Sequence, residues 1–141
     1  MDLTQKEVGV NGDGQYRYRF SFIPNGTAAP TLVGGKYVKS IVRNATLGAG
    51  STPVYLVTFN SNFGGLLGFK WGVREVTGAA LETLGIQLDP TNTNLSAAGG
   101  SVVSLRLCTI STGVTADFTA VTAGAQVDIE VCFATDPNNL V

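Results

Sequence analysis

From Tyr16 to Phe22 the side chains alternate between two chemistries, with Tyr16, Tyr18, Phe20 and Phe22 on one side and Arg17, Arg19 and Ser21 on the other. A period of two matches the pleat of a β strand that has one face in a core and the other in water. The same alternation recurs along the chain, with no 3.6-residue stripe to support an amphipathic helix. Further strands are predicted at Lys36–Arg43, Pro53–Phe59, Leu67–Val76, Leu84–Leu88, Val102–Ile110, Val114–Ala120 and Gln126–Phe133, which makes eight with the first. Between them lie strand-ending signals: Asn11-Gly12-Asp13-Gly14, Pro24-Asn25-Gly26, Gly34-Gly35, Gly48-Ala49-Gly50, Gly64-Gly65, Asp89-Pro90, Gly99-Gly100 and Thr112-Gly113. Glycine supplies positive φ and proline a fixed φ at such turns. Short strands with Gly-rich turns predict an all-β fold: a single antiparallel β-sandwich, a jelly-roll-like arrangement or a small barrel. One helical turn near Ala79–Thr83 is too short to stand alone.

With 141 residues, one domain spanning positions 1–141 is expected, since a chain of this size buries roughly two thirds of its extended surface. No internal repeat and no linker divide it. Residues 1–12 and 135–141 lack strong alternation and read as an N-terminal arm and a C-terminal tail. Charged residues make up only 13% of the chain, and the net charge of −1 argues against nucleic acid or an anionic membrane as a partner. The apolar runs are too short for the roughly 20 residues of a membrane-spanning helix. Met1 to Glu7 shows no basic stretch followed by an apolar one, so no secretory signal is expected and the product is expected to be made in a cytoplasm. Cys108 and Cys132 each sit inside an apolar run and read as reduced thiols, the alternative being a bridge between neighbouring strands.

The chain has no histidine. Ser-His-Asp and Cys-His catalysis, His-ligated metals and histidine proton relays are therefore excluded, and two cysteines do not fill a zinc site. The ten acidic residues are spread thinly. The expectation is a protein that is not an enzyme, with no catalytic, cofactor-binding or metal-binding residues and no cofactor.

Several motifs have both a functional and a plain reading. Asn11-Gly12-Asp13-Gly14 offers oxygens for calcium but lacks the distal glutamate of a calcium loop, so it reads as a turn. The glycosylation sequons at Asn25, Asn44 and Asn94 have no secretory route to give them meaning. Arg17 and Arg19 are placed to grip a partner's carboxylates or to form a solvated strand face. Phe63, Phe69 and Trp71 flank or follow Gly64-Gly65 and suggest a sugar platform, but Phe69 and Trp71 share the parity of Leu67 and Val73, which predicts core packing. Asp128 and Glu130 alternate with Val127, Ile129 and Val131 as on a half-exposed strand, not as in a catalytic dyad.

The run Phe20-Ser21-Phe22-Ile23-Pro24-Asn25-Gly26-Thr27-Ala28-Ala29-Pro30-Thr31-Leu32-Val33-Gly34-Gly35 resembles a group of small virion proteins of tailed bacteriophages. In that group an aromatic-x-aromatic strand enters Pro-Asn-Gly, followed by a small-Pro-Thr segment and a Gly-rich turn. Val38 to Arg43 and the strand ending Tyr55-Leu56-Val57-Thr58-Phe59 continue the similarity, which covers about residues 16–70. The resemblance implies a capsid decoration or cement protein: a small β domain, commonly a homotrimer, on the virion surface and bound to the major capsid protein lattice, with no catalytic residues to carry over. Under that reading the contact segments are Asp2–Val10 and Asp136–Val141. The alternatives are a head-fibre or tail module that binds a receptor glycan, for which Trp71, Tyr37 and Tyr55 are the aromatics to place, and a tail or neck structural protein. Few charges protect the expected strand edges, which favours self-association.

Overall fold

The computed structural model describes residues 15–75, 84–109 and 125–134, and these form eight strands with no helix among them. In chain order they are β1 (Gln15–Asn25), β2 (Ala28–Gly34), β3 (Val38–Gly48), β4 (Thr52–Phe59), β5 (Leu66–Glu75), β6 (Leu84–Leu88), β7 (Val102–Thr109) and β8 (Ala125–Ala134). The alternation at the start of the chain has become the two faces of β1: Tyr18, Phe20 and Phe22 are buried, Tyr16 packs against the same core, and Arg17 and Arg19 are exposed.

Two four-stranded antiparallel sheets make the sandwich, a front sheet in the order β2-β1-β8-β5 and a back sheet in the order β3-β4-β7-β6. The sheets do not close into a barrel. Local hairpins β1/β2 and β3/β4 form one side. Their tight turns hold Gly26 and Gly50 at φ of 57° and 71°. The centre of the front sheet joins distant parts of the chain, with β1 and β8 in continuous register from Gln15↔Ala134 to Phe22↔Val127. Every strand expected within the described residues is present. Val114–Ala120, the helical turn at Ala79–Thr83, the Asn11–Gly14 and Thr112-Gly113 turns, and both terminal segments lie outside them.

β2 was not anticipated. Its Ala-Ala-Pro-Thr-Leu-Val-Gly sequence has no clean alternation, and Pro30 lacks the N–H that an inner strand would need. As an edge strand paired only with β1 it tolerates both defects, and register shifts at Ser21/Phe22 and Ile23/Asn25 absorb the mismatch.

Between the sheets the middle of the core is aliphatic, with Val57, Val103, Leu105, Val127, Ile129 and Val131 buried. Rings fill the end where β1 and β5 start and β4 and β8 finish. There Phe63 stacks on Phe133 at 4.3 Å, and Phe59 meets Phe133 edge-on at 5.2 Å. Offset and edge-on ring pairs of this kind add to the large area each ring buries.

Two loops close that same end, residues 60–65 and 89–101. Ser101 ties them together: its N–H donates to the Ser61 carbonyl at 3.0 Å, its hydroxyl donates to the Leu95 carbonyl at 2.5 Å, and Phe63 N–H donates to its Oγ at 2.9 Å. Asn62 Nδ2 donates to the carbonyls of Leu95 and Ala97, both at 2.9 Å. Gly100 sits at φ 121° against the Phe59 carbonyl, where a Cβ has no room. The buried carboxylate of Asp89 accepts from Asn92 Nδ2 at 2.6 Å and Ser104 Oγ at 2.9 Å, pinning the start of the second loop to β7.

Candidate functional surface

Outward-facing residues of β1, β8 and β5 place most of the chemistry-bearing side chains of the described structure on the front sheet. Cross-strand register sets them in rows: Arg17, Cys132 and Gly68; Arg19, Glu130 and Lys70; Ser21, Asp128 and Gly72. Side chains in adjacent strands at such positions stand about 5 Å apart, close enough for polar pairs.

Asp128 is the hub of the third row. Its Oδ1 accepts from Ser21 Oγ at 2.6 Å, Arg74 Nη2 at 3.0 Å and Gln126 Nε2 at 3.1 Å, while Oδ2 accepts from Arg74 Nε at 3.1 Å. Partial burial pushes its pKa up, but the hydrogen bonds from Arg74, Ser21 and Gln126 and the Arg74 charge outweigh that and hold the carboxyl below its ordinary value. In the second row Arg19 Nε donates to Glu130 Oε2 at 2.8 Å. This arginine, for which a grip on a partner's carboxylate is one of two readings of the sequence, is held by its own sheet. Arg17 and Lys70 carry no ion pair among the described residues.

The face dips into a shallow depression of about 290 Å³ bordered by Arg19, Ser21, Lys70, Asp128 and Glu130. A second of about 180 Å³ lies over Gly68 between Gln15, Arg17, Lys70, Glu130 and Cys132. Both are open troughs on a strand surface. Asp128 and Glu130 are half-buried, as the strand alternation predicts, and both are engaged with cations.

The three aromatics relevant to a glycan platform are not brought together. Tyr55 is 1% exposed and stacks on Phe22 at 5.6 Å, and Tyr37 packs edge-on to Tyr18 at 5.0 Å. Trp71 is 41% exposed, against the expectation of core packing. Its parity is that of a core position, opposite Ile129, but β5 is an edge strand and little of the back sheet covers it. Leu67 is likewise exposed, at a register shift between Leu66 and Gly68 that takes it out of the ladder. Phe63 is buried and Phe69 packs against the core.

The large apolar side chains that remain exposed among the described residues all lie on edge strands. Val33 on β2 with Val42 and Leu47 on β3 lie on one side of the sandwich, and Leu67 and Trp71 on β5 lie on the other. Cys108 and Cys132 are free thiols on strands of different sheets, so they are not neighbouring-strand partners. Burial pushes the Cys108 thiol up, against a smaller opposing effect of Arg106, and Cys132 donates to Gln15 Oε1 at 3.0 Å.

The Asp89, Ser101 and Ser104 network had no signal in the sequence beyond the Asp-Pro turn, because its partners come from other strands and loops. Beside it, Asn62, Gly64, Leu95, Ser96, Ala97 and Ala98 line most of a shallow cleft of about 570 Å³. Among the described residues no group of three or more His, Cys, Asp or Glu is positioned to hold a metal ion. Comparison with protein-family models, curated proteins and solved structures finds no match to this chain.

Proposed function

We propose that this chain is a structural protein of a tailed-bacteriophage virion. In this reading it is a capsid decoration or cement protein, made in the host bacterial cytoplasm and seated as a homotrimer on the outside of the major capsid protein lattice. The observation that carries the reading is the Phe20–Gly35 run, which occupies the second half of β1, the Asn25-Gly26 turn and β2. Three physical features support it. The sequence offers no histidine for acid-base or nucleophilic chemistry, in keeping with a non-enzymatic role. The two-sheet core provides a rigid body, and apolar side chains on opposite edges leave surfaces for neighbours.

The shell-facing side is the end from which both terminal segments leave. Gln15 and Ala134 are cross-strand partners, so residues 1–14 and 135–141 are attached side by side in the middle of the front sheet. Two adjacent arms give a small domain reach over neighbouring shell subunits that its compact body lacks. A cryo-EM reconstruction of the particle carrying this chain tests the reading. Small β-rich trimers at threefold positions of the lattice are expected. Density confined to the tail, the neck or one vertex overturns it in favour of a connector or a receptor-binding module.

A further inference from the structure

We propose that β5 is the edge at which two copies of this chain join, antiparallel and across a twofold axis at Trp71, so that their front sheets run on as one. The contact goes beyond the trimer of the proposed function, since on a lattice it ties neighbouring trimers together, and its test needs no shell.

Among the described residues the two sheets end in the edge strands β2, β5, β3 and β6, and all but β5 are poor templates for another chain. β2 carries Pro30 and two register shifts, β3 is broken by shifts at Val38/Ser40 and Asn44/Gly48, and β6 is 5 residues long. Proline, bulges and shortness are devices that keep strand edges from pairing with other chains. β5 lacks all of them: it is 10 residues long and holds unbroken register with β8 from Gly68 to Glu75. Alternate residues of an antiparallel strand turn their N–H and C=O groups to opposite sides. Half of those groups on β5 therefore face away from β8, and no strand among the described residues receives them.

The side chains of β5 select one register. With Trp71 opposite itself, Phe69 meets Val73 of the second copy on the inner side, while on the outer side Lys70 meets Gly72 and Arg74 meets Gly68. No cation then stands directly across from a cation. A two-residue slip in one direction sets Lys70 against Lys70, and in the other sets it against Arg74; like charges directly opposite are unfavourable. A one-residue slip turns the outer face of one copy to the inner face of the other.

A second copy is the occupant because the same strand answers what one copy leaves unexplained. Glycine weakens a strand interior and often marks the close approach of another backbone. One chain alone does not require these two: a Cβ on Gly72 meets nothing within 4 Å, and one on Gly68 makes an ordinary contact with Cys132 Cβ at 3.4 Å. In the pair they leave room for Lys70 and Arg74 of the other copy. Trp71, exposed at a core-parity position, gains its own counterpart beside it on the axis, an aromatic pair directly across strands, and exposed Leu67 stands at each end of the paired stretch.

Trp71 is the chain's one tryptophan, so its fluorescence reads the contact directly. Full-length protein is followed by sedimentation and by tryptophan emission over a micromolar concentration series, and the emission is expected to move to shorter wavelength as the mass rises above that of the monomer. A short amine-reactive cross-linker is expected to join Lys70 to Lys70, a link that only two copies can make. Gly72→Lys sets a like charge opposite Lys70 at two symmetric places in each dimer and should weaken association about tenfold, whereas Gly72→Glu sets opposite charges there and should strengthen it by a similar factor. Within one chain residue 72 lies beside Asp128, so an effect on the fold alone runs the other way, with Lys favoured and Glu disfavoured in thermal melts. A monomer mass throughout the series, an oligomer whose tryptophan emission stays that of an exposed ring, or association weakened equally by both variants overturns the proposal. Each of these results is independent of whether the chain is found on a capsid.

Discussion

At Gly100 a single hydrogen atom in place of a side chain lets the backbone pass the Phe59 carbonyl at a φ of 121°. Replacement by alanine meets both steric overlap with main chain and an unfavourable φ, and should cost more than about 2 kcal/mol, read as a lower urea midpoint at unchanged slope. Asp128 has a different signature. Its carboxyl has a lower pKa when folded than the ordinary value near 3.9 of an unfolded chain. Its contribution to stability is therefore complete above that value and is lost as pH falls toward and through the folded pKa. Because the Arg74 and Asp128 side chains are 62% and 39% exposed, that contribution is no more than about 1 kcal/mol. Asp128→Asn should accordingly lower stability slightly at pH 7 and flatten its decline as pH falls below about 4, measured by thermal melts at a series of acid pH values.

Parity told which side of a strand Trp71 occupies but not whether anything lies above it. Alternation is a local property, whereas cover depends on strand order, and nothing in residues 66–75 announces that β5 is an edge. The same limit explains β2. A proline and two alanines hide a strand whose edge position is what makes them acceptable. The inner strands were legible because both constraints coincide there: Tyr18, Phe20 and Phe22 alternate and are buried, as are Val127, Ile129 and Val131. Of the surface, the strand pattern exposed the cations and acids of β1 and β8, but which cation meets which acid is set by a pairing of residues more than a hundred positions apart. Edge strands also carry a prediction of their own. Leu67→Gln with Trp71→Gln on β5, or Val42→Thr with Leu47→Thr on β3, should each reduce self-association in sedimentation experiments. Neither pair should shift the melting temperature of the isolated chain by more than a few degrees, since the replaced side chains lie on sheet edges outside the buried core.

As a whole, the body combines a rigid two-sheet core with a sparsely charged surface, and its ends leave from one place. A cement role predicts that shells lacking the protein burst at lower temperature or under milder osmotic shock than complete shells, measured by release of packaged DNA. Removing residues 2–10 or 136–141 should lower occupancy on the shell while the domain keeps its cooperative melt. Unchanged occupancy for both truncations would remove the arms from the account.

The pairing of Gln15 with Ala134 also bears on how the molecule is made. The central ladder of the front sheet joins partners as far apart as Arg19 and Glu130, which are 111 positions from each other. While the ribosome is still building the chain, β1 and β2 can meet, but the side of β1 that will receive β8 stays open until residue 134 has emerged. Closing so long a loop before any of its contacts are rewarded makes folding slow, on the millisecond to second scale typical of β sandwiches. During that interval each nascent molecule displays an unpaired, aromatic-rich strand edge to every other, and crowding many ribosomes onto one message would favour exchange of β8 between them.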